Sequence, residues 1–203
     1  MAGEGVNAFC ALRPPGHHAM PDYPMGFCLF NNIAIAAEYA RRHYGLQRIA
    51  IVDFDVHHGN GTQAAFYRQP QVLYASSHQS PCYPGSGRVE ETGVGNIFNQ
   101  PLPPGSGSKE FRLAYQRSIL PALQDFKPQL LLISAGFDAH RDDPLAELNL
   151  LEDDYRWLTQ QLVGVAAQHC QGRIVSLLEG GYNLKALANS VAMHVAVLAG
   201  MSF

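Results

Sequence analysis

Short apolar runs alternate along the chain with longer stretches in which apolar and polar residues are mixed. Each of the five runs has five or six residues, nearly all of them apolar. Continuous apolarity over so few positions predicts β-strands that are buried on both faces. The predicted strands are residues 8–12, 49–54, 72–76, 130–134 and 174–178.

The longer stretches are amphipathic and carry the end signals of helices. Gly45 follows the first stretch, and Pro128 lies just beyond the second. Asn183 stands immediately before the last stretch, where its side chain is suited to cap the first turn. The predicted helices are residues 29–44, 109–126, 152–170 and 184–199.

Strands and helices in repeated alternation predict an α/β fold with a mostly parallel central sheet. The chain has 203 residues, 47% of them hydrophobic, which suits one sizeable core and a single domain over residues 1–203. Residues 83–96 and 101–108 are rich in Gly and Pro, which predicts a long functional or mobile connection. Neither of the common glycine-rich phosphate-binding motifs occurs there.

Charge and cysteine content argue against several functions. Lys and Arg number 14 against 17 Asp and Glu, and the basic residues are scattered, so we expect no direct nucleic-acid binding. The four cysteines lie far apart in the sequence, so we expect them to be free thiols in a reducing compartment. No secretory signal pattern and no stretch near the roughly 20 apolar residues of a membrane helix is present. We therefore expect a cytoplasmic protein without a membrane partner.

Side chains with useful chemistry follow four of the predicted strands, each at the strand's carboxyl end. In chain order they are His17 and His18, Asp55 and His57, Asp138, and Tyr182. The carboxyl ends of parallel strands meet at one edge of a sheet, where open α/β folds bind their ligands. Four loops are therefore expected to converge on one crevice.

The stretch IVDFDVHHGNGTQ, residues 51–63, is the densest of these groups. Asp53, Asp55 and His57 stand two positions apart, so they face one side of an extended chain. Buried carboxylates need a compensating charge, and a metal ion is one candidate. Asp55, His57 and Asp138 would supply three ligands and leave a position open, as in catalytic zinc sites, where the ion lowers the pKa of bound water to roughly 7. A hydrogen-bonded loop explains any one group more simply, but not four groups together.

Six motifs in order resemble the histone deacetylase and acetylpolyamine amidohydrolase family. They are RPPGHHA, GFCLFNN, VDFDVHHGNGTQ, YPGSG, SAGFDAH and LEGGYNL, spread from about residue 8 to the C-terminus. The HHGNG form is similar to the class II and bacterial branch. The resemblance implies a three-layer arginase-like α/β fold and zinc-dependent hydrolysis of an N-acyl amide, by attack of a zinc-bound water on an acetylated lysine or polyamine.

The same resemblance implies the catalytic roles. The zinc ligands match Asp55, His57 and Asp138. His18 matches the general base and acid, with His17 supporting it electrostatically. Asp53 and Asn60 match the hydrogen-bond partners of His17 and His18, which set the orientation of each ring. Tyr182 matches the tyrosine whose hydroxyl stabilises the oxyanion of the transition state.

Substrate and potassium sites are also implied. The substrate-binding residues match Gly26, Phe27, Tyr83, Gly180 and Gly181. Tyr83 places a phenol where many relatives carry phenylalanine. A structural potassium ion is implied near Asp53, Asp55, His57 and Ser76, mostly through backbone carbonyls.

The front of the chain departs from the family pattern, which places further strands before RPPGHH. We expect either a fragment of a longer product or a shortened variant with an open sheet edge, and such an edge favours homo-oligomers. A non-catalytic acyl-lysine-binding module is therefore an alternative. An arginase-like hydrolase with two manganese ions is another, disfavoured by Gly59 and His140 at positions where that family has carboxylates.

Four acidic residues are expected to form a solvated face, or else to attract cationic substrates: Asp142, Asp143, Asp153 and Asp154.

Overall fold

The computed structural model describes residues 5–201, which form a six-stranded parallel sheet with helices on both faces. Five helices and one π-helical turn lie between successive strands, and a sixth helix follows the last strand. The strands are β1 (Asn7–Cys10), β2 (Ile49–Asp53), β3 (Val72–Gln79), β4 (Ile97–Leu102), β5 (Leu130–Ala135) and β6 (Ile174–Leu178). The helices are α1 (Asn32–Tyr44), α2 (Asn60–Phe66), α3 (Ser108–Ala114), α4 (Leu120–Phe126), α5 (Glu152–His169) and α6 (Leu184–Leu198).

The strand order is β1-β6-β5-β2-β3-β4, with every neighbouring pair parallel. Alternate residues of β2 belong to different layers of the core. Ala50 and Val52 pack in the cluster beneath α5 and the segment from α3 to α4, whereas Ile49 and Ile51 pack in the cluster beneath α1. Both faces of the sheet are therefore covered, which explains why the strand sequences are continuously apolar and confirms the predicted three-layer α/β fold.

Most predicted elements lie within a few residues of their observed bounds. The side chains of Asn31 and Asn183 cap α1 and α6 by accepting backbone N–H groups of the first turn. The predicted helix 109–126 is interrupted by a π-helical turn over Tyr115–Ile119. Two elements, α2 and β4, were not predicted. The supposed long connection over residues 83–108 is consequently wrong in part, because β4 divides it.

Strand β1 is the exception to the prediction of strands buried on both faces. Its residues are exposed or half-buried, and within residues 5–201 it pairs only with β6. Association through this edge stays a prediction. No helix in the described part of the chain is long and apolar enough to cross a membrane.

Candidate active site

The loops that follow β2 and β5 bring two carboxylates and an imidazole together. Asp55 and His57 follow β2, and Asp138 follows β5, which is the neighbour of β2 in the sheet. Nδ1 of His57 lies 3.1 Å from Oδ1 of Asp55 and 3.1 Å from Oδ2 of Asp138. One ligand atom from each of the three residues lies within 4.8 Å of the other two. The three side chains that the sequence predicted as metal ligands therefore share one site.

The electrostatics of this cluster favour a cation. Both carboxylates are buried, and burial followed by the charge of nearby Asp55 raises the pKa of Asp138. Burial opposes the charged form of His57, but hydrogen bonds to Asp138 and Asp55 outweigh it and raise the pKa of that imidazole to about 11. The same negative potential would hold a divalent ion, and a mixture of oxygen and nitrogen donors suits zinc.

Backbone N–H groups orient the two carboxylates. Gly180 donates from its backbone to Oδ2 of Asp55 at 2.8 Å, and Val56 donates to Oδ1 of Asp138 at 2.9 Å. A Cβ atom on Gly180 would overlap Oδ2 of Asp138 and lie 2.7 Å from Oδ2 of Asp55. Only glycine at this position lets the backbone after β6 approach both ligands.

The tandem histidines lie beside the cluster of Asp55, His57 and Asp138 and differ in their partners. Nδ1 of His17 donates to Oδ2 of Asp53 at 3.0 Å, whereas Nδ1 of His18 donates to Oδ1 of Asn60 at 2.8 Å. Burial opposes a charge on His17, but the charges of Asp53, Asp55 and Glu179 raise its pKa to about 10. Burial and then the charge of His17 lower the pKa of His18 to about 3. These opposite shifts favour a protonated His17 beside a neutral His18, and the two ring centroids lie 4.0 Å apart.

Glu179 is a site residue that sequence reasoning missed. Its Oε2 accepts from the backbone N–H groups of Gly16 and His17 at 2.7 and 3.2 Å, and its Oε1 accepts from the hydroxyl of Ser134 at 2.8 Å. Burial raises the pKa of Glu179, and the charge of His17 opposes that rise. The carboxylate thus ties the loop after β1 to the ends of β5 and β6. The only sequence signal was an acidic residue at the end of an apolar run, in LEGGY.

A cavity of about 340 Å³ opens above these residues. Its lining comprises Pro15, His17, His18, Gly26, Phe27, Asp55, His57, Tyr83, Leu145, Gly180 and Tyr182. The ring of Tyr83 lies 5.1 Å from that of His18, and the ring of Phe27 lies 6.4 Å from that of Tyr182, as measured between centroids. Phe27 and Tyr83 are the exposed rim of the cavity, while His18 and Asp55 lie at its base. Pro15 and Leu145 were not predicted.

Tyr182 enters the cavity from the loop that follows β6. Burial, and then the charges of Asp138 and Asp55, raise the pKa of its hydroxyl above the ordinary value. The phenol therefore stays protonated at neutral pH and keeps a proton to donate.

Three other predictions have different outcomes. Gly181 is buried and its carbonyl accepts from Arg13 at 3.3 Å; the cavity lining given above does not include it, and its role in substrate binding stays a prediction. Ser76 pairs with Asp53 across β2 and β3, but its hydroxyl bonds to Nδ1 of His78 at 2.9 Å. Potassium binding there stays a prediction.

The prediction that four acidic residues form a solvated face is wrong in part, since Asp143 and Asp154 are buried.

Comparison with known proteins agrees with this geometry. The family model described as "Histone deacetylase domain" matches residues 1–198. The chain belongs to the histone deacetylase domain family. The solved HDA15 HD domain superimposes with a TM-score of 0.91 and 40% sequence identity, covering 98% of this chain and 58% of the solved chain. The predicted family and the predicted fold are both confirmed.

Similar family members come from plants, bacteria and archaea. Histone deacetylase 10, chloroplastic, of Oryza sativa subsp. japonica is 52% identical over 188 residues, which cover 91% of this chain and 42% of the relative. The histone deacetylase-like amidohydrolase of Pseudomonas aeruginosa is 47% identical, covering 90% and 50%. A probable deacetylase of Archaeoglobus fulgidus is 44% identical, covering 97% and 56%. The chain thus spans about half the length of these relatives.

Proposed function

We propose that this domain hydrolyses the amide of an acylated amine, with acetyl-lysine or an acetylated polyamine as its substrate class. The observation that carries the proposal is the convergence of a metal-ligand cluster, a neutral histidine and a protonated tyrosine on one cavity. Relatives named as deacetylases and as an amidohydrolase support the reaction class.

Asp55, His57 and Asp138 fit a single zinc ion, for which their donors and negative potential are suited. When bound, zinc would polarise the amide carbonyl and make water a stronger acid. The second metal of an arginase-like site has less support. Gly59 offers no side chain, and the Nδ1 atom of His140 is used to accept from the backbone of Asp142 at 3.1 Å.

His18 holds and moves the proton in this proposal. Because Oδ1 of Asn60 accepts from Nδ1, the neutral ring carries its hydrogen on Nδ1 and leaves the lone pair on Nε2. Nε2 would take a proton from the attacking water and return it to the nitrogen of the departing amine, a role typically worth 10²–10⁴-fold in rate. His17, held as a cation by Asp53, stabilises the negative charge that develops beside it.

The hydroxyl of Tyr182 donates to the oxyanion as the carbonyl carbon becomes tetrahedral. Removing one such donor typically lowers turnover about 10²–10³-fold. Phe27 and Tyr83 flank the entrance as aromatic walls, which suit the aliphatic stem of a lysine or polyamine. A structural potassium ion and a cytoplasmic location remain parts of the proposal that rest on the sequence.

The test is hydrolysis of an acetyl-lysine peptide and of an acetylated polyamine by the zinc-loaded chain, with Tyr182→Phe in parallel. We expect turnover that falls at least about a hundredfold in the variant. Tyr44→Phe, a phenol on α1 outside the cavity lining, is the matched control and should retain full activity. A folded, zinc-bound chain that binds the peptide without turnover would favour the acyl-lysine-binding module, and turnover with manganese alone would favour the arginase-like site.

A further inference from the structure

Asp143 lies in the loop between β5 and α5, and its carboxylate is buried, with 6% of the residue exposed. It accepts three backbone N–H groups from two separate loops. Oδ2 accepts from Tyr182 at 2.7 Å and from Asn183 at 3.2 Å, and Oδ1 accepts from Leu145 at 3.1 Å. Hydrogen bonds to an ionised acceptor are roughly twice as strong as neutral ones. The three bonds to this carboxylate therefore hold the two loops together.

Two of the three donors belong to residues that line the cavity. Tyr182 and Leu145 both contribute to its wall, although they are distant in sequence. The third donor, Asn183, is the N-cap of α6, which fixes the position of Tyr182 relative to that helix. Asp143 itself is held by its backbone N–H, which donates to the carbonyl of His140 at 2.9 Å.

The backbone before Tyr182 has little stiffness of its own. Gly180 and Gly181 precede it, and Gly181 has φ of +137°, a conformation that L side chains rarely adopt. Gly180 is bonded to Asp55 and Gly181 to Arg13, but in the described residues the backbone of Tyr182 itself is bonded to one side chain, that of Asp143. A misplacement of about 1 Å can cost on the order of a hundredfold in rate, so anchoring this backbone matters for catalysis.

We propose that Asp143 is a positioning residue that fixes the Tyr182 hydroxyl and the Leu145 wall in one arrangement. The proposal rests on the oxyanion role of Tyr182 given under the proposed function. Asp143 does not touch the substrate; it acts through the backbone of Tyr182. The acidic residue expected from the sequence to be solvated is instead a structural part of the site.

The first test is a double-mutant cycle of Asp143→Asn with Tyr182→Phe, in the assay for acetyl-lysine hydrolysis. The Asn side chain keeps the volume but turns one acceptor into an amide donor that faces backbone N–H groups. We expect kcat to fall about tenfold or more while KM changes little, and a further loss of less than about threefold when Tyr182 is already Phe, because coupled residues are not additive. Full additivity would overturn the proposal.

Two control variants separate positioning from loss of charge or of stability. Asp142→Asn removes an exposed carboxylate next in sequence and should leave kcat unchanged. Asp154→Asn removes a buried carboxylate that pairs with Arg112 and accepts from Ser108, outside the cavity lining. It should lower the melting temperature without the loss in kcat that Asp143→Asn causes.

A second readout does not depend on turnover. The chain has nine tyrosines, and fluorine NMR of 3-fluorotyrosine-labelled protein identifies the Tyr182 resonance by its loss in Tyr182→Phe. Asp143→Asn should shift or broaden that resonance while the others stay in place. If the wild-type chain is inactive, the proposed function fails, but this spectrum still tests the positioning.

If Asp143→Asn does not fold, hydrogen exchange of the Tyr182 backbone amide in the wild-type chain tests the proposal instead. The N–H of Tyr182 should exchange slowly with solvent, because it is bonded to a buried carboxylate. The backbone N–H of exposed Leu184 is the comparison in the same spectrum. Exchange of the Tyr182 amide as fast as that of a solvated amide would overturn the proposal.

Discussion

Nδ1 of His17 lies 3.0 Å from Oδ2 of Asp53, and both side chains are almost fully buried. The hydroxyl of Tyr74 also donates to Oδ2 of Asp53, at 3.0 Å. The charge of Asp53 helps to raise the pKa of His17, whereas burial and then the charge of His17 lower the pKa of neighbouring His18. The two adjacent histidines thus have pKa values shifted in opposite directions, because a carboxylate pairs with His17 and a neutral amide with His18.

Asp53→Asn should weaken catalysis by removing the partner that holds the charge of His17. Loss of such a hydrogen-bond partner typically costs 10- to 100-fold in activity. The pKa of His17 should fall and that of His18 should rise, because the neighbouring charge is lost. The measurement is kcat/KM across a pH series. Asp125→Asn, on the exposed face of α4, is the control, and a variant at Asp53 that retains wild-type activity would contradict the assigned role.

Gly180→Ala should reduce both zinc affinity and turnover. Its Cβ would overlap the carboxylate of Asp138 and crowd that of Asp55, so at least one ligand must move. Zinc affinity measured by competition with a chromophoric chelator and hydrolysis of acetyl-lysine peptide should fall together. The matched control is Gly164→Ala in α5, where a Cβ meets no atom within 4 Å and helix propensity predicts a gain of about 0.5–1 kcal/mol in stability. Unchanged zinc affinity in Gly180→Ala would exclude the close packing inferred here.

Zinc should stabilise the folded chain, because the ligand cluster exists only when β2 and β5 are paired. At a free zinc concentration about 100-fold above the dissociation constant, the gain is about 2.7 kcal/mol. Calorimetric melting with zinc and with excess chelator measures it. Asp138→Asn should abolish the difference, whereas Asp153→Asn, an exposed carboxylate on α5, should keep it. If zinc raised the melting temperature of both variants equally, the ion would bind at another site.

The sequence predicted the central strands and the clustering of the candidate metal ligands because both leave local patterns. Strands buried on two faces need continuous apolar residues, and ligands cluster where strands end. Strand β4 reads IFNQPL, with buried residues only at alternating and terminal positions, and it lacks that pattern. Helix α2 has seven residues, including a glycine, and is too short to show a helical period in its sequence.

Glu179 and Asp143 could not be assigned from the sequence for a different reason. Their importance lies in backbone N–H groups that are 163 and 39 positions away, at Gly16 and Tyr182. A backbone donor leaves no mark in a sequence, since every residue but proline carries one. Only the folded chain shows which acidic side chains are solvated and which hold loops together.

His194 provides a pH dependence of stability that is independent of the candidate metal site. It lies on α6 among the rings of Phe9, Phe54 and Phe137. The hydroxyl of Thr159 donates to a backbone carbonyl and so accepts from Nδ1 at 2.7 Å, while the hydroxyl of Ser176 donates to Nε2 at 2.8 Å. These bonds satisfy both nitrogens of a neutral ring, and burial lowers the pKa of His194 to about 3.

Acid should therefore destabilise the fold through this residue. The unfolded chain binds a proton at His194 below its ordinary pKa of 6.5, whereas the folded chain binds it only near 3, so the free energy of unfolding falls as pH drops through that window. The slope per such histidine approaches about 1.4 kcal/mol per pH unit. His194→Gln keeps a donor and an acceptor but removes the titrating group. Its free energy of unfolding, measured by urea unfolding with excess chelator at several pH values, should fall less steeply with decreasing pH than that of the wild type. The loss of stability caused by the substitution at neutral pH should therefore become smaller in acid. Parallel pH profiles for wild type and variant would show that His194 binds a proton equally well in both states.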